Sequence, residues 1–263
     1  MNIVACVKQV PDTTEVKINP ETGTLVRTGV PSIINPYDHF ALESALKLRK
    51  QHQGFHLTVI SMGPPQAKSV VQLGLALGAD SGVLLSDRAF AGSDTWATSY
   101  ALSQAIKKVG KVDLIFCGMQ AIDGDTAQVG PGIAQQLRIP QITFCEHVDL
   151  DGKKIIARRH IDGGHEIIEA KPPALFTMIM PKDYAMPYPS FTEVYNSTKK
   201  SFSVWSAEDV GAKTEQLGLK GSPTQVNKIY PPKREVTANV INAGTPETVE
   251  KIMEILKSES FIK

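Results

Sequence analysis

From residue 2 to residue 138 the chain switches repeatedly between short apolar runs rich in strand formers and longer stretches with helical spacing. The strand-like runs lie at 2–7, 55–61, 82–86 and 111–117. The helical stretches begin at Pro36, near Ala67, near Gly92 and at Gly132. In the first of them Phe40, Ala41, Ser44, Ala45 and Leu48 share one face; in the second Val70, Leu73 and Leu77 do. A strand that is apolar along its whole length must be covered on both sides, and a helix between two such strands provides the crossover a parallel pair needs. The alternation therefore predicts an α/β fold, a Rossmann-like parallel sheet with helices on both faces.

Ligands of such sheets bind beyond the carboxyl ends of the strands. The loops at 6–11, 35–38, 62–64, 92–95 and 118–131 follow or can approach those ends, and they are expected to converge on one crevice. The loop at 118–131 carries the most chemistry. Gly124 and Gly130 allow backbone to approach a ligand. Thr126 and Gln128 are neutral groups that hydrogen-bond a phosphate or a ribose without repelling it. A helix start after the loop attracts an anion through its free N–H groups and its dipole. Asp123 and Asp125 argue the other way, unless they face a ribose, cap the helix or point to solvent. Two readings stay open at this point: a phosphate site, or an ordinary connection with an Asp or Thr cap.

Other classes are disfavoured. No Gly-x-Gly-x-x-Gly follows the first strand, and no P-loop pattern is present. No nucleophile triad or paired-carboxylate spacing stands out, and His160 and His165 flank a turn as surface residues. The net charge of +1 points to neither nucleic acid nor an anionic membrane, and no apolar run is long enough to span a bilayer. Cys6, Cys117 and Cys145 form no metal spacing and no disulfide framework. Residues 1–8 run directly into a strand without the features of a targeting peptide, so a cytoplasmic location is expected.

Beyond residue 142 the pattern changes. Strand-like runs at 143–149, 154–158 and 166–169 are joined by Asp151-Gly152 and Asp162-Gly163-Gly164, which predicts an antiparallel extension. A buried strand is expected at 173–179, and a small hairpin much earlier, over 15–27. Residues 181–205 hold prolines, Tyr184, Met186, Tyr188, Phe191 and Tyr195 without helical periodicity, and read as a covering or partner-facing loop. Residues 211–242 read as an extended polar arm. A terminal amphipathic helix follows, capped by Thr245, with Val249, Ile252, Ile255 and Leu256 on its apolar face.

Arg159, Asp162, Gly163, Gly164, Glu166, Ile168, Pro173 and Leu175 occur in the order of a known signature. Through them the segment 158–177 resembles the beta-subunit family of electron transfer flavoproteins. Val7-Lys8 with Pro11-Asp12, Asn35-Pro36-Tyr37-Asp38, Met62-Gly63-Pro64, Leu75-Ala-Leu-Gly-Ala-Asp80 and the run 118–125 extend the resemblance over almost the whole chain.

The resemblance implies an adenine nucleotide alpha hydrolase-like fold and a heterodimer whose alpha subunit carries a mobile FAD domain. It implies a nucleotide-binding domain over 1–180, a partner-recognition loop region over 181–205, and a C-terminal arm and helix over 206–263 that packs on the alpha subunit. In ordinary members the nucleotide is a structural AMP. In the flavin-bifurcating branch the ADP half of an FAD takes that place and NAD(H) meets the flavin. Carried over, Cys6, Asn35, Pro36, Tyr37 and Asp38 line the adenine and ribose end, with Met62 and Gly63 covering it. Gln120, Asp123, Gly124, Asp125, Thr126, Ala127, Gln128, Val129, Gly130 and Pro131 hold ribose and phosphates. The run 92–99 resembles the bifurcating branch; Ser93, Asp94, Thr95 and the helix start would offer donors to a diphosphate, or simply form a well-capped helix.

The implied function is electron transfer from NADH through FAD to the alpha-subunit FAD and an acyl-CoA dehydrogenase, with bifurcation to ferredoxin or flavodoxin. The alternative is a non-bifurcating subunit holding AMP. No residue of this chain is then catalytic, because the redox chemistry belongs to the flavin. A stand-alone nucleotide-binding protein of the same fold group is the remaining rival. Its pyrophosphatase version needs a Ser-Gly-Gly-x-Asp-Ser loop where Lys8-Gln-Val-Pro11 stands.

Overall fold

The computed structural model describes residues 1–12, 31–227 and 246–262. Strand β1 (Asn2–Cys6) is followed by β2 (Gln9–Pro11) and β3 (Ser32–Ile34), which pair antiparallel. Helix α1 (Pro36–Gln51) leads to β4 (His56–Met62), α2 (Lys68–Leu77) and β5 (Ser81–Leu85). Helix α3 (Thr95–Val109), β6 (Leu114–Gly118) and α4 (Val129–Leu137) complete the alternating part. Then come β7 (Gln141–Asp151), β8 (Lys154–Ile161), β9 (Gly164–Ala170) and β10 (Ala174–Met178). The compact unit ends with α5 (Phe191–Ser197), β11 (Ser201–Trp205) and the short α6 (Gly218–Gly221).

One nine-stranded sheet has the order β11-β5-β4-β1-β6-β10-β7-β8-β9. Every pair from β11 to β7 is parallel, and β7, β8 and β9 form the expected antiparallel extension. The apolar strands have a simple cause. Ile3 and Ala5 of β1 point into a core with α1 and α2, while Val4 and Cys6 point into a second core with α3 and α4. Successive side chains of a strand face opposite ways, so a strand between two helical layers cannot carry a polar face. His160 and His165 are exposed and directly opposite each other on β8 and β9.

Several expectations need correction. Residues 181–205 are a loop only as far as Ser190. The Ser190 side chain and Glu193 form a capping box that starts α5, and β11 adds a parallel edge strand beside β5. Residues 206–224 are also less detached than an extended arm: Ala207, Val210 and Leu217 are buried in the core on the α3 side. The expected hairpin over 15–27, the Thr245 cap and the stretch 228–245 lie outside the described residues.

Residues 229–263 make a separate unit, of which 246–262 are described. Its helix α7 (Pro246–Ser258) leaves Val249, Ile252, Met253 and Ile255 exposed. No helix among the described residues is long and apolar enough to cross a membrane.

One contact holds the segment after β10 against α1. The Tyr184 hydroxyl donates to Glu43 Oε2 at 2.6 Å, and His39 Nδ1 lies 2.7 Å from the same oxygen. With its proton committed to Glu43, the phenol oxygen accepts from His39. Buried His39 loses its partner in Tyr184→Phe, so that variant is expected to lose roughly 1–3 kcal/mol of unfolding free energy in urea titrations.

Candidate functional site

The site is built from the start of α1. Pro36 occupies the first helical turn, where its missing N–H costs nothing. Asn35 stands at the cap position, yet its side chain makes no cap bond. It is buried and reaches across to the loop after β6 instead. Asn35 Nδ2 donates to the Gln120 carbonyl at 2.8 Å, and Asn35 Oδ1 accepts from the Ile122 N–H at 3.2 Å. A single amide thus satisfies one donor and one acceptor of a loop that has no ladder of its own.

Asp38, also buried, does the same for two strand ends. Its Oδ2 accepts from the Lys8 N–H just past β1 at 2.8 Å, and its Oδ1 from the Gly118 N–H at the end of β6 at 3.0 Å. Gly118 has to be glycine. A Cβ there would lie 2.7 Å from the Asp38 nitrogen and from the Tyr37 carbonyl carbon, and closer still to Asp38 Oδ1. Burial pushes the Asp38 carboxyl up from 3.8 to about 7, against the pull of its bonds with Asn35, Lys8 and Gly118.

These contacts frame a cavity of about 440 Å³. It sits beyond β1, β4 and β6, where the sheet order turns: β4 lies on one side of β1 and β6 on the other. Cys6, Asp38, Met62, Ser93, Asp94, Thr95, Gln120 and Gly124 through Gly130 line it, as the sequence predicts. Asn35, Pro36, Tyr37, Gly63, Asp123 and Pro131 do not line it. Asn35 supports the wall from behind, and Asp123 turns away to pair with Lys8 Nζ at 2.6 Å. Val7, Lys8 and Met119, within the expected loops, also line it, and Thr98, Leu102, Cys117 and Thr224 do so without any signal in their local sequence.

Two helix starts meet at this cavity and differ. At α3, Asp94 Oδ1 accepts from the Trp96 and Ala97 N–H groups, and Oδ2 accepts from the Thr224 N–H and hydroxyl. The Ser93 hydroxyl donates to the Phe90 carbonyl and accepts from the Gly218 N–H. The expected donors of Ser93 and the α3 start are therefore used internally, except at Thr95. At α4 no side chain caps the helix, which starts three residues earlier than its pattern predicts. The N–H groups of Gln128, Val129 and Gly130 and the hydroxyls of Thr95 and Thr126 have no protein partner among the described residues. The Asp or Thr cap expected for an ordinary connection is therefore not formed among the described residues.

The loop before α4 carries backbone strain. Asp125 and Ala127 have φ of 47° and 53°, a region non-glycine residues rarely enter. Asp125 is held there by Gln120 Nε2 at 2.9 Å. At Gly130 a Cβ would meet Thr177 Cγ2 at 2.6 Å, so close packing requires glycine there.

The family profile "Electron transfer flavoprotein domain" matches residues 22–189. The chain is 49% identical over 263 residues to the electron transfer flavoprotein subunit beta of Clostridium acetobutylicum, with 100% of both chains covered. It belongs to the electron transfer flavoprotein beta-subunit family. It is also 46% identical to the caffeyl-CoA reductase-Etf complex subunit CarD of Acetobacterium woodii, over 97% of this chain and 98% of that one. To protein FixA of Azorhizobium caulinodans it is 43% identical, over 98% and 95% of the two chains.

In this electron transfer flavoprotein beta-subunit chain the Asp38 network makes a prediction about pH. The folded protein keeps the Asp38 proton where the unfolded chain has released it, so stability falls as pH rises from the ordinary aspartate value toward 7. Asp38→Asn removes that slope, which reaches about 1.4 kcal/mol per pH unit for a full proton. Denaturant unfolding of both proteins between about pH 4.5 and about pH 6.5 measures it.

Proposed function

We propose that the cavity at the end of β1 and β6 binds the adenine nucleotide part of FAD in a heterodimeric electron transfer flavoprotein. The observation that carries the reading is the uncapped start of α4, with three N–H groups at the cavity wall that have no partner among the described residues. The cavity volume lies within the range of about 300–1,000 Å³ usual for small-molecule sites. When bound, the flavin supplies the electron-transfer chemistry.

The residues have distinct tasks. Gln128, Val129 and Gly130 present N–H groups to a phosphate, with the Thr95 and Thr126 hydroxyls beside them. Cys6, Met62 and Leu102 offer the apolar wall that a flat ring needs. Asn35 positions the loop from behind the wall, and Asp38 fixes the ends of β1 and β6. The electron route runs from NADH to an FAD on the alpha subunit and an acyl-CoA dehydrogenase, with bifurcation to ferredoxin or flavodoxin. The CoA-thioester reductase in the printed name of the CarD relative supports an acyl-CoA oxidoreductase as partner. The exposed apolar face of α7 supports the pairing with an alpha subunit.

A second reading, AMP in the same place, is favoured by one observation. Asp94 occupies the N–H groups at the α3 start that a second phosphate would use. Heat release of nucleotide from the purified heterodimer separates the readings. Two FAD and no AMP supports the first; one FAD and one AMP supports the second; no adenine nucleotide beyond the alpha-subunit FAD overturns both.

Gln128→Glu tests the α4 start directly. The Gln128 side chain makes no hydrogen bond among the described residues, and a carboxylate at a helix start stabilises the empty protein by roughly 0.3–1 kcal/mol. The same carboxylate repels a phosphate. The variant is expected to melt no lower than wild type without nucleotide, and to bind nucleotide at least about tenfold more weakly by equilibrium dialysis, about 1.4 kcal/mol.

A further inference from the structure

Two of the three cysteines stand side by side on the floor of this cavity. In the parallel pair of β1 and β6, Val4 lies opposite Ile115 and Ala5 opposite Phe116. One step further along both strands brings Cys6 beside Cys117. Side chains alternate between faces, and Val4, Cys6, Ile115 and Cys117 all belong to the core on the α3 and α4 side. Both thiols therefore leave the sheet in the same direction. Neighbouring strands lie about 4.8 Å apart, inside the range of about 4.4–6.8 Å over which two cysteine Cα atoms allow their sulfurs to meet.

Both residues line the cavity, together with the thioether of Met62. Both are free thiols. Cys145 belongs to the opposite core, without a second cysteine near it in the sheet register.

The setting selects the reagent. The Cys117 thiol is pushed well above the ordinary range by its hydrogen-bond contact with Cys6 and by burial. Reagents that require a thiolate react slowly there. Two protonated sulfurs held next to each other instead suit a soft centre that takes both at once.

We propose that Cys6 and Cys117 form a vicinal dithiol site for a soft trivalent metalloid, of the organoarsenic(III) oxide class, in the same cavity as the nucleotide. The reaction balances without an oxidant. Two S–H bonds break and two As–S bonds form, while the oxygen on arsenic leaves as water with both thiol protons. Arsenic stays trivalent. Competition with nucleotide rests on the function proposed above; capture of the metalloid does not.

The test uses the full-length protein, purified with its partner subunit, and phenylarsine oxide as probe. Native mass spectrometry is expected to show one phenylarsenic group on this chain. Peptide mapping of wild type is expected to find residues 1–8 joined to residues 112–138 through arsenic. Cys6→Ser and Cys117→Ser should each lose the adduct, and Cys145→Ser should keep it. Saturating FAD or AMP should slow its formation at least about tenfold, the factor that about 1.4 kcal/mol of occupancy provides. An adduct that survives either serine variant, that joins other peptides, or that never forms overturns the dithiol site. An adduct on the right pair whose rate ignores both nucleotides overturns the shared cavity and leaves the dithiol standing. The wild-type mapping decides the matter even where a serine variant fails to fold.

Discussion

A buried carboxylate ties this architecture together where the pairing of β1 with β6 ends. There an N–H group just past β1 and one at the end of β6 are not taken up by the pair. Asp38 accepts from both, through Lys8 and Gly118. It does so from the first turn of α1, where the helix dipole favours an acceptor with negative character. Three elements that meet only in space thereby become one hydrogen-bonded body. Gly118 is the steric condition for it, since no side chain fits between β6 and the α1 start. Asn35 extends the same body to the loop before α4 through Gln120 and Ile122. The cavity wall is thus set by two side chains, Asn35 behind it and Asp38 within it.

Most of the sheet was legible because its strands are buried on both faces. That burial writes continuous apolar runs, and the helices between them write one apolar stripe each. The convergence of loops on one crevice followed from parallel topology alone, and Cys6, Met62, Thr95 and Gln128 do meet there. The role of Asn35 was not legible. Residue type and position both fit a helix cap, but the side chain found better use on a loop 85 residues away. A cap rule ranks local partners and cannot see a distant one. Thr98, Leu102 and Thr224 reach the cavity through tertiary packing and carry no local mark of it.

The segment 181–224 was misread for a different reason. Helix α5 has seven residues, too few for a stripe, and six of them are exposed. Its signal lay in the start, where Ser190 and Glu193 spell a capping box. Strand β11 lies at the sheet edge, where only one side needs apolar cover, so Ser201, Phe202 and Ser203 look like turn sequence. Between β11 and α6, single anchors such as Val210 and Leu217 do the packing. Isolated anchors have no period.

The acids around the cavity seemed to speak against an anion, and their partners resolve the conflict. Asp123 is neutralised by Lys8, and Asp125 is bound by the Gln120 amide. Asp94 and Asp38 both accept backbone N–H groups, yet they titrate in opposite directions. Asp94 is partly open to solvent; burial works against its charge, but bonds from Ala97, Thr224 and Trp96 hold it below the usual carboxylate range. Asp38 is wholly enclosed, and there desolvation outweighs the bonds and carries it to about 7. At neutral pH the α1 side of the cavity therefore carries only part of a negative charge, while the charge on the α3 side is spread over four donors. What remains uncompensated is the positive start of α4, and an anion is the ligand that such a residue of charge selects.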